Sequence, residues 1–163
     1  MELWNCQIGA LGLYALDNKL LVLLIARLKK EFGAWGGKVT FEGKAKIGSA
    51  CRIICNSNGN IIFGDGVNIT GRTSVISDNK ISIGAKSLIS WDCLLMDTDF
   101  HKVVDKNESI NERKNIVLDE HVWIGCRATI LGGTQIPENS VVAAGSVLTK
   151  RVFGKRFTSR CEQ

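Results

Sequence analysis

The hydrophobic positions of this chain recur every six residues along most of its length. From Leu118 to Leu148 an aliphatic residue falls at every sixth position, and a small or β-branched residue stands four positions after each of them. An α-helix has a period of 3.6 residues and a strand a period of two, so neither element produces this spacing. The same period begins at Phe41 and continues, with short insertions, to Leu95. Its origin therefore lies in the architecture of the whole domain.

Coils of three short strands joined by tight turns explain a period of six. Each strand places one aliphatic side chain inside the coil, a small residue fits where the chain turns, and a following glycine suits a turn with positive φ. Successive coils pair their strands and form a solenoid. The aliphatic positions group into about five triangular coils that start at residues 41, 63, 83, 118 and 136. The sequence thus predicts an all-β domain, a parallel β-helix, over residues 37–152.

Residues 1–36 lack the period and contain the apolar run "LLVLLIARLKK". We predict an α-helical segment with a helix over about residues 19–32, capped by Asp17 and ended by Gly33. The segment is not a signal peptide, because its basic residues follow the apolar ones. It is also a poor transmembrane span, because Asp17 would lie within the membrane. Two interpretations stay open. The helix packs against its own protein or a neighbouring subunit, or residues 1–32 make a peripheral contact with an anionic membrane surface.

Charge and cysteine content narrow the class of protein. The net charge is +5, but the basic residues are scattered and not interleaved with aromatic ones, so we predict no nucleic-acid partner. None of the six cysteines has CxxC spacing. Cys51 and Cys93 occupy small-residue positions of the repeat and are interpreted as small buried hydrophobic residues. This usage favours a reducing, cytoplasmic compartment.

The longest interruption of the repeat is the polar stretch "MDTDFHKVVDKNESINERKN" over residues 96–115. A long loop within a regular solenoid is usually functional. It holds one of the two histidines of the chain, His101.

Two sequence motifs carry a resemblance to a known family. The repeat, the ending "VWIGCRATILGGTQIPENSVVAAGSVLTK" and the stretch "DTDFH" resemble those of the left-handed β-helix, hexapeptide-repeat acyltransferases. The resemblance is greatest to galactoside, maltose and xenobiotic acetyltransferases and to the sugar O-acetyltransferases of capsule and lipopolysaccharide pathways. It implies a left-handed coil, acetyl-CoA as acyl donor, no metal, a glycan or small-molecule acceptor and a homotrimer with sites between subunits. It also implies a cytoplasmic protein, with the inner face of the membrane as a possible location.

In such an enzyme His101 would be the general base. A sugar hydroxyl has too high a pKa to attack a thioester unaided, and imidazole can take its proton near neutral pH. Asp97 or Asp99 would orient the imidazole, as acids do for catalytic histidines; the alternative is that both only keep the loop soluble. Asp92 matches the position of an acceptor-binding asparagine in the family, and its alternative is a surface turn residue.

The resemblance also implies a donor site around the end of the repeat. Trp123 would line the groove for the pantetheine arm, backbone groups near Cys126 and Ala144 would bind the donor, and Thr149 and Lys150, with Arg151, would complete the site. A basic tail over residues 153–163 follows, without the family's "G-x-P-A/C-R/K" segment. His121 is interpreted as a residue of a solenoid turn.

Three alternatives to the O-acetyltransferase are weighed. An N-acetyltransferase acting on an amino sugar would need the same site. A non-catalytic hexapeptide-repeat scaffold would explain the missing tail motif. A carbonic anhydrase on the same fold would need three histidines on zinc, and the chain has two.

Overall fold

The computed structural model describes residues 37–101 and 114–149. The predicted helix over residues 19–32, the basic tail, Lys150 and Arg151 lie outside the described residues. In the part of the chain that is described, no helix is long and apolar enough to cross a membrane.

The described residues form a parallel β-solenoid of fifteen short strands. The strands are β1 (Lys38–Phe41), β2 (Ala45–Ser49), β3 (Arg52–Cys55), β4 (Asn60–Phe63), β5 (Val67–Gly71), β6 (Ser74–Ser77), β7 (Lys80–Ile83), β8 (Leu88–Ile89), β9 (Leu94–Met96), β10 (Ile116–Leu118), β11 (Trp123–Ile124), β12 (Thr129–Leu131), β13 (Gln135–Ile136), β14 (Val141–Val142) and β15 (Val147–Leu148).

Every third strand belongs to the same sheet. The first sheet has the order β1-β4-β7-β10-β13, the second β2-β5-β8-β11-β14 and the third β3-β6-β9-β12-β15. Each sheet therefore takes one strand from each of five successive coils. The predicted parallel β-helix is confirmed.

The periodic aliphatic residues fill the interior of the coils. In register, Phe63 lies beside Ile83, and Ile83 beside Leu118, so equivalent positions stack along the axis. All three are at most 1% exposed, as are Ile124 and Ile130 on the other two sheets. Small partners such as Thr73, Cys93 and Ala128 are buried with them. This continuous apolar column supplies the hydrophobic driving force that a single coil lacks.

Left-handed backbone conformations form the corners of the coils. Between the first and second strands of a coil, Gly66, Lys86, His121 and Asn139 occupy equivalent turns; between the second and third strands, Ala50, Arg72, Asp92, Arg127 and Gly145 do so. We call the turn between the second and third strands of a coil the second corner. Most of these residues are not glycine, although positive φ is unfavourable for them.

The glycines that follow the aliphatic residues have a different role from the predicted one. Among the described residues, Gly48, Gly64, Gly84 and Gly125 do not have positive φ. They lie instead where neighbouring coils approach most closely. A Cβ on Gly125 would come within 2.6 Å of the Ala144 backbone nitrogen. The prediction that these glycines serve turns of positive φ is therefore wrong, because close contact between coils is the constraint.

Candidate active site

The predicted functional loop leaves the solenoid after β9, the third strand of its coil. Strand β10 returns beside β7, with Ile116 in register with Ile81. At this return, the Asn79 side-chain amide donates a 2.7 Å hydrogen bond to the Asn115 side chain. The loop therefore starts and ends on the corner between the third and first sheets, and residues 97–101 form its described beginning.

Asp97 anchors the start of the loop to the preceding coil. Its side chain is 4% exposed, and its carboxylate accepts hydrogen bonds from the Ser77 hydroxyl at 2.7 Å, the Asp78 N–H at 2.7 Å and the Asn79 N–H at 3.2 Å. Such bonds to a carboxylate are stronger than those between neutral groups. The interpretation that Asp97 merely solubilises the loop is wrong, because it is buried. Its predicted support of His101 stays a prediction.

His101 lies four residues beyond this anchor and is exposed. Asp99 and Phe100 beside it are exposed as well, and Phe100 has positive φ, with its N–H bonded to the Thr98 hydroxyl at 3.1 Å. This local turn follows directly after the fixed Asp97. The structure thus presents the imidazole to solvent four residues after the buried Asp97, where a substrate can reach it.

Asp92 lies at the second corner and is paired with the coil before it. Its carboxylate accepts two hydrogen bonds from the Arg72 guanidinium, at 2.7 and 2.9 Å. The hydrogen bond with Arg72 lowers the pKa of Asp92, and the positive charge of Arg127 in the next coil acts in the same direction. Asp92 is therefore a turn residue in an ion pair, and its contact with the acceptor stays a prediction.

Trp123 lies on the outer face of the second sheet. Strand β11 places its indole between Leu88 and Val141 in register, and the indole N–H donates a 3.1 Å hydrogen bond to the buried Ser90 hydroxyl. The side chain remains 38% exposed. One hydrogen bond thus holds a large aromatic surface in place while leaving it accessible to a ligand.

The other donor candidates that the structure describes lie on the coil that contains Trp123 and on the coil after it. The Cys126 carbonyl accepts a 2.8 Å hydrogen bond from the Gly145 N–H, which brings Cys126 next to Ala144 at the second corner. Ala144 and Thr149 are exposed, and Cys126 is half-buried. The structure therefore gathers Trp123, Cys126 and Ala144 on the last two coils, whereas His101 leaves the third coil at another corner.

Sequence reasoning missed Trp91, an aromatic side chain next to Asp92. It is 52% exposed, and its carbonyl accepts a 2.9 Å hydrogen bond from the Arg127 N–H. The residue directly precedes the corner residue Asp92 while the period of six continues around it, and a large aromatic residue beside a corner is the signal that could have revealed it. With Arg72, Asp92 and Arg127 it gives the second corner a mixed aromatic and charged surface.

Other candidate groups are structural. The His121 ring nitrogen Nδ1 lies 2.8 Å from the Asn139 side-chain oxygen on the next coil, which confirms its prediction as a turn residue. Burial raises the pKa of the Cys51 and Cys93 thiols, which are buried as predicted and poorly suited to act as nucleophiles. Within residues 37–101 and 114–149, no group of three or more His, Cys, Asp and Glu side chains could hold a metal ion.

Comparisons with known proteins point to one class. No family model matches the chain. It is 29% identical over 95 residues to a galactoside O-acetyltransferase of Lactococcus lactis, covering 57% of this chain and 45% of that protein. It is 35% identical over 65 residues to a polysialic acid O-acetyltransferase of Neisseria meningitidis, covering 39% and 30%. It is 28% identical over 122 residues to an Escherichia coli protein provisionally named lipopolysaccharide biosynthesis O-acetyl transferase WbbJ, covering 69% and 62%.

These likenesses and the solenoid confirm the predicted resemblance to hexapeptide-repeat acyltransferases. The matched part of the chain spans less than two thirds of each of the three relatives.

Proposed function

We propose that this protein is an acetyl-CoA-dependent O-acetyltransferase that modifies a sugar hydroxyl during surface polysaccharide biosynthesis. The observation that carries the proposal is the exposed His101, four residues after the buried Asp97 anchor and within the one long interruption of the described repeat. The three relatives, whose names describe O-acetyltransferases, support the reaction class.

The proposed step is a direct transfer without an acyl-enzyme. The acceptor oxygen attacks the thioester carbonyl carbon as His101 takes its proton, and a backbone N–H stabilises the oxygen that gains charge. The tetrahedral intermediate then collapses, the carbon–sulfur bond breaks and the CoA sulfur receives the proton from His101. Trp123 lines the donor groove, and backbone groups near Cys126 and Ala144 bind the donor. The reaction needs no metal.

Exchange of His101 tests this role. We expect His101→Ala to lose acetyl transfer by about 10²–10⁴-fold, the usual contribution of a general base, while it folds and binds CoA. His121→Ala is the matched control, since the other histidine lies on a turn; it should retain transfer. Acetylation is followed by the mass shift of a panel of sugar acceptors, and CoA binding by titration. Near-full activity of His101→Ala would exclude the assignment.

The same panel separates the alternatives. An N-acetyltransferase would acetylate only acceptors with a free amine, and a scaffold would bind no acetyl-CoA at micromolar concentration. The scaffold is disfavoured by an accessible indole held on a single hydrogen bond, since a purely structural tryptophan is usually buried.

We also propose that active sites form between chains of a homotrimer. Supporting this, His101 and Trp123 belong to different corners and faces of one solenoid. The outer face of the third sheet is apolar, because Ile54, Ile76, Met96 and Leu131 align in register across four coils. Nearby Val147 is 64% exposed. An apolar sheet face of this kind is typical of an interaction surface.

A mixing experiment tests the shared site. His101→Ala and Trp123→Ala are each expected to lose activity, and their co-expression should restore part of it, because mixed trimers contain some sites with both native residues. Light scattering should give the mass of a trimer. If co-expression restores nothing although mixed trimers form, each site lies within one chain.

A further inference from the structure

Within the described residues, the first coil leaves one end of the solenoid uncovered. Its inward residues Phe41, Ile47 and Ile53 pair in register with Phe63, Ile69 and Val75 of the second coil. The second-coil residues are 0%, 1% and 1% exposed, whereas Phe41 and Ile47 are half-buried and Ile53 is 8% exposed. Equivalent inward positions are thus fully buried in the second coil and more exposed to solvent in the first coil.

Phe41 shows most directly what is exposed. Its ring stacks on that of Phe63, with centroids 5.0 Å apart and an interplanar angle of 16°. One face of the Phe41 ring is covered by the second coil, and the opposite face points out of the open end. Val39, on the same strand, is likewise only half-buried against the core.

Among the strands that the structure describes, β1, β2 and β3 are also the terminal strands of their sheets. Terminal strands present unpaired backbone groups that favour pairing with other chains, and solenoids need a cap at such ends. This end therefore presents an apolar interior and three exposed strand edges. A segment that covers it must be apolar on the side that faces the coil.

We propose that the segment over residues 19–32 of the same chain covers this end. The chain enters the solenoid here, since Lys38 begins β1 directly after the segment "GAWGG" at residues 33–37. Five linking residues reach at most about 17 Å. The segment is thereby kept close to the uncovered end whatever its direction.

The size and chemistry of this segment fit the end. A helix of the predicted length would be about 21 Å long, enough to cross a triangle whose sides are strands of four or five residues. Residues 20–25 read "LLVLLI", which matches the apolar interior, and Arg27, Lys29 and Lys30 follow where a cap would reach solvent. This inference does not depend on the proposed activity.

Photo-crosslinking in the full chain tests the proposal. Phe41 is replaced by p-benzoylphenylalanine, which keeps an aromatic ring at this site, and crosslinks are mapped by mass spectrometry. A mixture of ¹⁵N-labelled and unlabelled protein distinguishes crosslinks within one chain from those between chains. The matched control places the same residue at Leu148, the half-buried inward position at the opposite end. Irradiation is done in buffer and with vesicles of phosphatidylethanolamine and phosphatidylglycerol.

The expected result is an intrachain crosslink from position 41 to residues 19–32, with and without vesicles, and its loss when the probe is at position 148. Crosslinks to a second copy, to lipid or to no partner would each overturn the proposal. If the Phe41 variant does not fold, the same probe at Ile47 gives the same test, because that side chain faces the same opening.

Discussion

Replacement of Asp97 by asparagine should destabilise the protein, because it removes a buried carboxylate that accepts three hydrogen bonds. Asparagine keeps the shape but offers one acceptor oxygen in place of two. With that oxygen on the Asp78 N–H, its NH₂ group meets the Asn79 N–H, and only the Ser77 hydroxyl can rotate to accept. Loss of charged hydrogen bonds and one unsatisfied donor together cost about 2–4 kcal/mol.

This cost is measurable as a shift in the melting temperature. In a chain of this size each kcal/mol shifts the Tm by about 2–4 °C, so Asp97→Asn should melt about 5–15 °C below the parent. Differential scanning fluorimetry gives the Tm, and urea denaturation gives the free energy of unfolding. Glu138→Gln, an exposed acid-to-amide change, is the matched control and should leave the Tm within about 1 °C.

Two outcomes would contradict the anchoring argument. A Tm of Asp97→Asn equal to that of the parent would show that the three hydrogen bonds do not stabilise the loop. If the Tm is unchanged but acetyl transfer falls sharply, Asp97 acts on His101, as the sequence suggested, and not as a structural anchor.

Two further predictions concern the interior and the second corner. Ile124→Ala, at a position with 0% exposure, should reduce the free energy of unfolding by about 2–5 kcal/mol in urea denaturation, while Gln135→Ala at an exposed position of the first sheet changes it by less than about 0.5 kcal/mol; equal costs would contradict the assignment of inside and outside. Arg72 lowers the pKa of Asp92 below its ordinary value of 3.8, so their pair stabilises the folded state above that value and ceases to do so as the pH falls through the lowered pKa. Asp92→Asn should therefore melt below the parent near neutral pH, with a difference that shrinks in acid and in high salt; a difference independent of pH would refute the pairing.

Much of the candidate site could be placed from the sequence, but not its contacts. The break in the repeat located His101, and the ending of the repeat located Trp123, because both features lie in short continuous stretches. The partners of Asp97 and Asp92 could not be read in this way. They lie about twenty residues earlier, on the preceding coil, and the insertions between coils have unequal lengths, so the sequence does not specify which side chains face each other.

The solenoid could be derived from the amino-acid sequence. A period of six residues fixes which side chains point inward, how many coils stack and where a loop leaves them, because burial of apolar side chains is dictated by spacing along the chain. The contacts between neighbouring coils are visible only in the three-dimensional structure. It buried Asp97 under the loop, paired Arg72 with Asp92, gave most corners to residues other than glycine, and assigned the glycines to contacts between coils. These features depend on distances between coils, which hydrogen bonding of the sheets sets at about 4.8 Å and which no local pattern records.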